Sequence, residues 1–155
     1  MRAVPKAPFT TDIARYIWDT KYRFREGAVV HDRTVEDTWR RVARALAAVE
    51  PRNREYWEER FYGILEGFRF LPGGRVQAGA GTGRHVTLFN CFVMGVVHDS
   101  MEGICDGLKE GAITLQQGGG VGYDFSTLRP RGTRAKGVGG IASGPVSFMV
   151  VWNAM

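Results

Sequence analysis

The chain has 155 residues, 44% of them hydrophobic, with 21 glycines and a formal net charge of +5. That length points to one domain and that apolar share to a packed core, which excludes a disordered or fibrous chain. The charge and the sequence pI near 9.6 suit an anionic partner such as a nucleotide or nucleic acid, or a plain solvated basic surface.

Glycine stands at about twice its usual share, and most of it follows residue 60. Composition therefore divides the chain into a charged, helical region, residues 1–69, and a Gly-rich, apolar region, residues 70–155. Residues 1–8 read as a loose arm. Thr10 or Thr11 can cap a short helix with Ile13, Tyr16 and Ile17 on one side. Trp18, Tyr22 and Phe24 alternate with Lys21, Arg23 and Arg25, so these rings either stack on bases or pack on the following helices. Thr34 opens the clearest helix, with Val35, Trp39, Val42, Leu46 and Val49 on one face, Asp37 in a capping-box position and Pro51 as its stop. In the next helix Trp57, Phe61, Ile64, Leu65 and Phe68 share a face. This pair carries no evident chemistry, and His31 reads as an exposed loop residue.

Leu71 to Arg75 reads as a turn. Residues 78–84, A-G-A-G-T-G-R, have the glycine spacing of a phosphate loop but do not form the dinucleotide fingerprint, and a flexible connector is expected. His85 beside it has no metal-ligand partner at useful spacing. Residues 86–97 form a nearly continuous apolar run, predicted to be a strand covered on both faces. Cys91 lies inside it next to the polar Asn90, and is either an inert core thiol or a reactive one. Ser100 caps a helix over 101–117 with Met101, Ile104, Leu108 and Leu115 inward, and Asp99 at its start either caps or holds a ligand. Gly118 to Gly120 end that helix. Residues 121–125 read as a second buried strand, which makes the helix a crossover between two strands. A basic loop with Arg129, Arg131, Arg134 and Lys136 follows; cations beside flexible glycines suit a phosphate. Ser143-Gly144-Pro145 opens a last helix carrying Phe148, Val151, Trp152 and Met155.

Several of these stretches, in this order, resemble the N-terminal part of a ribonucleotide reductase large chain. They are L-P-G-G-R-V-Q-A-G-A-G-T-G-R, T-L-F-N-C-F-V-M, D-S-M-E-G-I, Q-Q-G-G-G-V-G-Y-D-F-S-T-L-R-P-R-G and S-G-P-V-S-F-M-V-V-W-N-A-M. The wording is most similar to the adenosylcobalamin-dependent (class II) branch; a diiron-dependent (class I) large subunit is the alternative within the family. The resemblance implies an α/β fold: a helical region followed by the first strands and helices of a ten-stranded α/β barrel, incomplete in this chain.

It also implies site roles. Cys91 matches the first redox cysteine, which supplies electrons as the substrate 2′-hydroxyl leaves and then forms a disulfide with a second cysteine. Asn90 and Gly120 match substrate contacts, and Gly73 and Gly74 lie where the family has a further one. Asp99, Ser100 and Met101 match the start of a deoxynucleotide effector site, Asp99 accepting a ribose hydroxyl. Arg129 matches the effector-phosphate arginine and Lys136 a second cation. Adenosylcobalamin is the implied cofactor, there to generate the thiyl radical. The implied partners are a ribonucleotide substrate, a deoxynucleotide effector, a dithiol reductant such as thioredoxin, the remaining part of the reductase and a second copy of the chain. Cys105 matches none of the family's cysteines. The thiyl-radical cysteine, its glutamate and the second redox cysteine fall outside this stretch, so the chain alone is expected to be inactive, as a fragment, split-gene piece or truncated product. Two cysteines, without a secretory pattern or an apolar run of bilayer length, predict a cytoplasmic protein with no membrane partner. A non-catalytic deoxynucleotide-binding module and a basic nucleic-acid-binding protein are the readings from other classes.

Overall fold

A computed structural model describes residues 8–134 and 139–155, so the expected effector cation Lys136 lies outside the described residues. The chain forms two compact units, one ending at Leu88 and the other beginning at Phe89.

The first unit is helical. Helix α1 (Asp12–Ile17) starts where the Thr11 hydroxyl accepts the Ala14 N–H at 3.3 Å, and runs into a wide helical turn, Trp18–Tyr22. A short hairpin, β1 (Arg25–Glu26) and β2 (Val29–Val30), leads to α2 (Val35–Ala47). The expected capping box is present: the Asp37 carboxylate accepts the Thr34 N–H at 2.8 Å, and the Thr34 hydroxyl accepts the Asp37 N–H at 3.4 Å. Val35, Trp39, Val42 and Ala43 of α2 form the core with Trp18, Leu65 and Ala80. The expected apolar stripe stops short: Val49 lies past the end of α2 and is 82% exposed. Helix α3 (Arg54–Leu65) packs on α2 through Leu65 and Phe61.

Trp18 and Phe24 are buried, so these rings serve the core and are not offered to bases. Ile13, Tyr16 and Ile17, the residues expected on one side of α1, are exposed, while Trp18 is buried and donates its indole N–H to the Thr38 hydroxyl at 3.0 Å. That hydroxyl donates in turn to buried Asp32 at 2.8 Å, which also receives the Phe24 N–H at 3.1 Å and the Arg41 guanidinium at 2.8 Å. Arg41 further donates to the carbonyls of Tyr22, Gln77 and Ala80. A buried ion pair holds when every remaining donor is met, and here the donors are met by backbone that they lock in place.

Two expectations for this stretch are corrected. The 71–75 turn gives way at Gly74 to a helix, α4 (Gly74–Gly79). The 78–84 stretch is packed against α2: Ala80 and Thr82 are buried, and a Cβ on Gly81, at φ +73, would stand 2.9 Å from Arg41 Cγ. Its glycines serve close approach between backbones.

In the second unit, β3 (Cys91–Val93) pairs in parallel with β4 (Gly120–Gly122), and α5 (Met101–Gln116) crosses between them as expected. Helix α6 (Pro145–Ala154) has proline at its first turn. The core is small: Val97, Ile104 and Leu128, with Tyr123, Phe125, Phe148 and Trp152 against it. β3 has three residues where an apolar run over 86–97 was predicted, β4 has three where 121–125 was predicted, and β3 is not covered on both faces: Val93 is 97% exposed. Two paired strands satisfy only one edge each, so the hydrophobic pattern of a central strand remains uncovered here. Met101 and Leu115 of α5 are likewise exposed. The inner face of α5 is made by Ile104 and by glycines: the Tyr123 hydroxyl donates to the Gly107 carbonyl at 2.6 Å and occupies the place a Gly111 Cβ would need.

Candidate functional site

Two groups of residues carry chemistry in the second unit. The first is the edge shared by β3 and β4. The register places Cys91 opposite Gly120, and the Gly120 N–H donates to the Asn90 carbonyl at 2.8 Å. A Cβ on Gly120 would lie 3.4 Å from Cys91 Sγ. The thiol therefore stands beside bare main chain. Cys91 is free and exposed, which sets aside the reading as an inert buried cysteine. A thiol in that position can meet a ligand, give up electrons and form a disulfide. Asn90, also exposed, precedes it at the start of the strand. Cys105 is free and exposed on α5. Gly73 and Gly74 belong to the first unit. The Gly73 carbonyl accepts the N–H groups of Val76 and Gln77 at the start of α4, and a Cβ on Gly74 would meet the Tyr22 hydroxyl at 3.3 Å.

The second group surrounds a concavity of about 410 Å³ at the N-terminus of α5. Ser100 caps that helix, its hydroxyl accepting the Gly103 N–H at 3.0 Å. Helix N-termini favour negative charge, and Arg129 reaches the same place from the loop after β4. Arg129 Nε donates to the Asp99 carboxylate at 2.8 and 3.0 Å, Nη2 donates to the Asp99 carbonyl at 3.0 Å, and the Arg129 N–H approaches Oδ1 at 3.3 Å. Thus Asp99, Ser100, Met101 and Arg129, 30 residues apart at the extremes, share one wall-lined space. Ile104, Leu128 and Phe148 supply its apolar side, and Ser143 and Gly144 bring the N-terminus of α6 to it. Ser143 and Gly144, expected only to open a helix, also line this space; the sequence signal for that is a second helix N-terminus close in sequence to a basic loop.

Among the described residues, no group of three His, Cys, Asp or Glu side chains can hold a metal ion, and no helix is long and apolar enough to cross a membrane. Adenosylcobalamin does not match the lining of either of two concavities. In the first, the carboxylate is engaged by Arg129. The second, about 800 Å³ in the helical unit, is lined by apolar side chains such as Phe9, Ile13, Trp18 and Leu71, with neither a histidine nor a carboxylate to meet cobalt. The residues that line these two concavities do not fit the cofactor.

Residues 8–85 match the family model of the ribonucleotide reductase all-alpha domain, and residues 89–155 that of the ribonucleotide reductase barrel domain. The chain is similar to the vitamin B12-dependent ribonucleoside-diphosphate reductase of Mycobacterium tuberculosis, 39% identical over 140 residues, covering 84% of this chain and 20% of the relative. A protein of the same name from Thermoplasma acidophilum is 38% identical over 98 residues, 63% of this chain and 12% of the relative. The ribonucleoside-diphosphate reductase subunit alpha of Chlamydia pneumoniae is 28% identical over 137 residues, 88% of this chain and 13% of the relative. The chain thus spans 20% or less of the length of these curated relatives.

Proposed function

Because this chain belongs to the ribonucleotide reductase large-chain family, we propose that it serves the radical reduction of ribonucleoside diphosphates to deoxyribonucleotides for DNA synthesis. The observation that carries the reading is the exposed Cys91 thiol beside the bare Gly120 backbone on adjacent parallel strands. A flat, polar ribose can approach such an edge, where a side chain at position 120 would narrow the space. In this reading Asn90, Gly120, Gly73 and Gly74 contact substrate. Cys91 contributes one of two thiols. Together they deliver two electrons and two protons, the 2′-hydroxyl leaves as water, a hydrogen takes its place, and the thiols become a disulfide that a dithiol such as thioredoxin reduces again. The second thiol and the radical-forming cysteine come from further reductase sequence.

Asp99, Ser100, Met101 and Arg129 form the deoxynucleotide effector site, with Lys136 as a second cation. The cofactor in this reading is adenosylcobalamin, held outside the described residues; identities of 38% and 39% to the vitamin B12-dependent relatives, against 28% to 34% for relatives named without vitamin B12, favour it over a diiron-dependent reading. A homodimer through α5 is supported by exposed Met101, Ile113 and Leu115 on that helix. Two free thiols and a nucleotide substrate suit the cytoplasm.

The test is a chimera in which this chain replaces the aligned segment of the Mycobacterium tuberculosis relative. The chimera is expected to reduce ribonucleoside diphosphates with a dithiol reductant. Cys91→Ser in it should lower turnover by roughly 10³-fold or more, as removal of one member of a concerted group does. Turnover unchanged by Cys91→Ser would overturn the proposal.

A further inference from the structure

Cys91 and Gly120 can act together only while something holds them at their spacing. We infer that Phe92 is a positioning residue of the Cys91–Gly120 edge: its ring sits on the bare main chain of Gly119 and fixes where β4 meets β3. The inference rests on the substrate-edge reading above and adds to it a residue from the far face of β3.

Side chains alternate along a strand, so Phe92 points away from the face that bears Cys91 and Val93. Cys91 and Val93 are exposed, while Phe92 is half-buried. Gly119, itself buried, covers it: a Cβ there would stand 2.6 Å from Phe92 Cε2, 2.9 Å from Cδ2 and 3.0 Å from Thr114 Cγ2. Phe89 meets the same ring edge-on, with centroids 6.1 Å apart. The missing side chain at 119 therefore makes room for a ring, whereas the one at 120 leaves room beside a thiol.

Gly119 also belongs to the end of α5. Gly118, at φ +87, donates its N–H to the Leu115 carbonyl at 2.8 Å, and Gly119 donates its own to the Thr114 carbonyl at 2.9 Å. These two bonds close the helix as a left-handed glycine permits, and they tie Gly119 to the last turn. The next residue is Gly120, whose N–H donates to the Asn90 carbonyl at 2.8 Å; at the other end of the pairing the Met94 N–H donates to the Gly122 carbonyl at 2.9 Å. The chain thus passes from a closed helix end into a paired strand with no loop to absorb a shift. A ring seated on Gly119 from β3 selects the register in which Cys91 faces Gly120. A shift of one residue would put Val121, with its branched side chain, opposite the thiol.

The test in the chimera is kinetic. Phe92→Ala is expected to raise KM for the ribonucleoside diphosphate about tenfold or more and to lower kcat as well, because Gly120 and Cys91 move relative to each other. Phe92→Leu, which keeps apolar bulk on Gly119, recovers most of both. Gly119→Ala is expected to resemble Phe92→Ala. The Gly119→Ala/Phe92→Ala double variant should fall short of the product of the two losses by about tenfold or more, because the added methyl group enters the space the ring leaves. A ring that only fills core would lower kcat with the folded fraction and leave KM unchanged. That outcome, or two losses that simply multiply, overturns the inference.

The register itself is read by NMR in the chain without substrate, from the nuclear Overhauser effect between the Cys91 α-proton and the Gly120 amide proton, which parallel pairing brings close. Its presence in the wild type, loss in Phe92→Ala and return in Phe92→Leu support the positioning role even where the chimera shows no turnover, in which case only the substrate-edge reading fails. Its absence from the wild type, or its persistence in Phe92→Ala, removes the positioning role.

Discussion

At the scale of single residues, two glycines of the second unit have opposite tolerances, and the difference separates stability from function. At Gly111 an added Cβ would fall 2.1 Å from the Tyr123 hydroxyl. Gly111→Ala is therefore expected to destabilise the chain by about 1–3 kcal/mol in urea titration, with partial recovery when Tyr123→Phe removes the clashing oxygen. At Gly120 the nearest atom is Cys91 Sγ at 3.4 Å, an ordinary contact. Gly120→Ala should shift stability by less than about 1 kcal/mol yet lower turnover of the chimera about tenfold or more, because the methyl group takes the space beside the thiol. Equal losses of stability and turnover at Gly120 would count against its place at the substrate. Cys91, Asn90 and Gly120 were all legible from their motifs. That they stand side by side was not, since only the parallel register brings residues 91 and 120 together.

At the scale of elements, local chemistry predicted best where it was self-contained. The Thr34–Asp37 capping box, the Ser100 cap of α5 and the Pro145 start of α6 all occur, because each needs only neighbours three residues away or a fixed φ. The glycine-rich stretch 78–84 misled, since the same spacing serves a phosphate loop and a tight seat on α2, and Arg41 decides between them from 39 residues away in sequence. The turn after α1 carries a pH dependence of its own. Hydrogen bonds from Arg23, then from Arg25, hold the Asp19 carboxyl below its usual range. A depressed carboxylate stabilises the fold above its unfolded pKa and loses that contribution as pH falls through the folded value. The denaturation midpoint of the wild type should thus drop more steeply on acidification below the usual carboxylate range than that of Asp19→Asn; parallel curves would show that the pair does not contribute.

At the scale of the whole molecule, charge and core are unevenly shared. Residues 1–88 hold sixteen Lys and Arg against eleven Asp and Glu, while residues 89–155 hold five of each. The net positive charge that suggested an anionic partner therefore lies in the helical unit, while the candidate nucleotide concavity sits in a unit of zero net charge and relies on Arg129 and helix ends. The helical unit has the larger buried cluster, with two tryptophans, whereas the hydrophobic cluster of the second unit has three buried members among the described residues, beside a two-stranded sheet with Val93 97% exposed. Sheets that small are marginal in water. Hydrogen exchange of this chain should show α2 and α3 amides protected well beyond those of β3 and β4; equal protection would mean that the sheet is stabilised by contacts the described residues do not reveal.

By itself the sequence determined the helical start, the strand–helix–strand crossover and the family, because caps, periodicity and ordered motifs are written in neighbouring residues. Only the tertiary structure decided that Cys91 is exposed beside Gly120, that Asp99 engages Arg129, that Trp18 and Phe24 are core, and that the strands stay short and uncovered. Those outcomes depend on which distant segments meet and on how many strands are present to cover an apolar face, and neither quantity is local to any stretch of the chain.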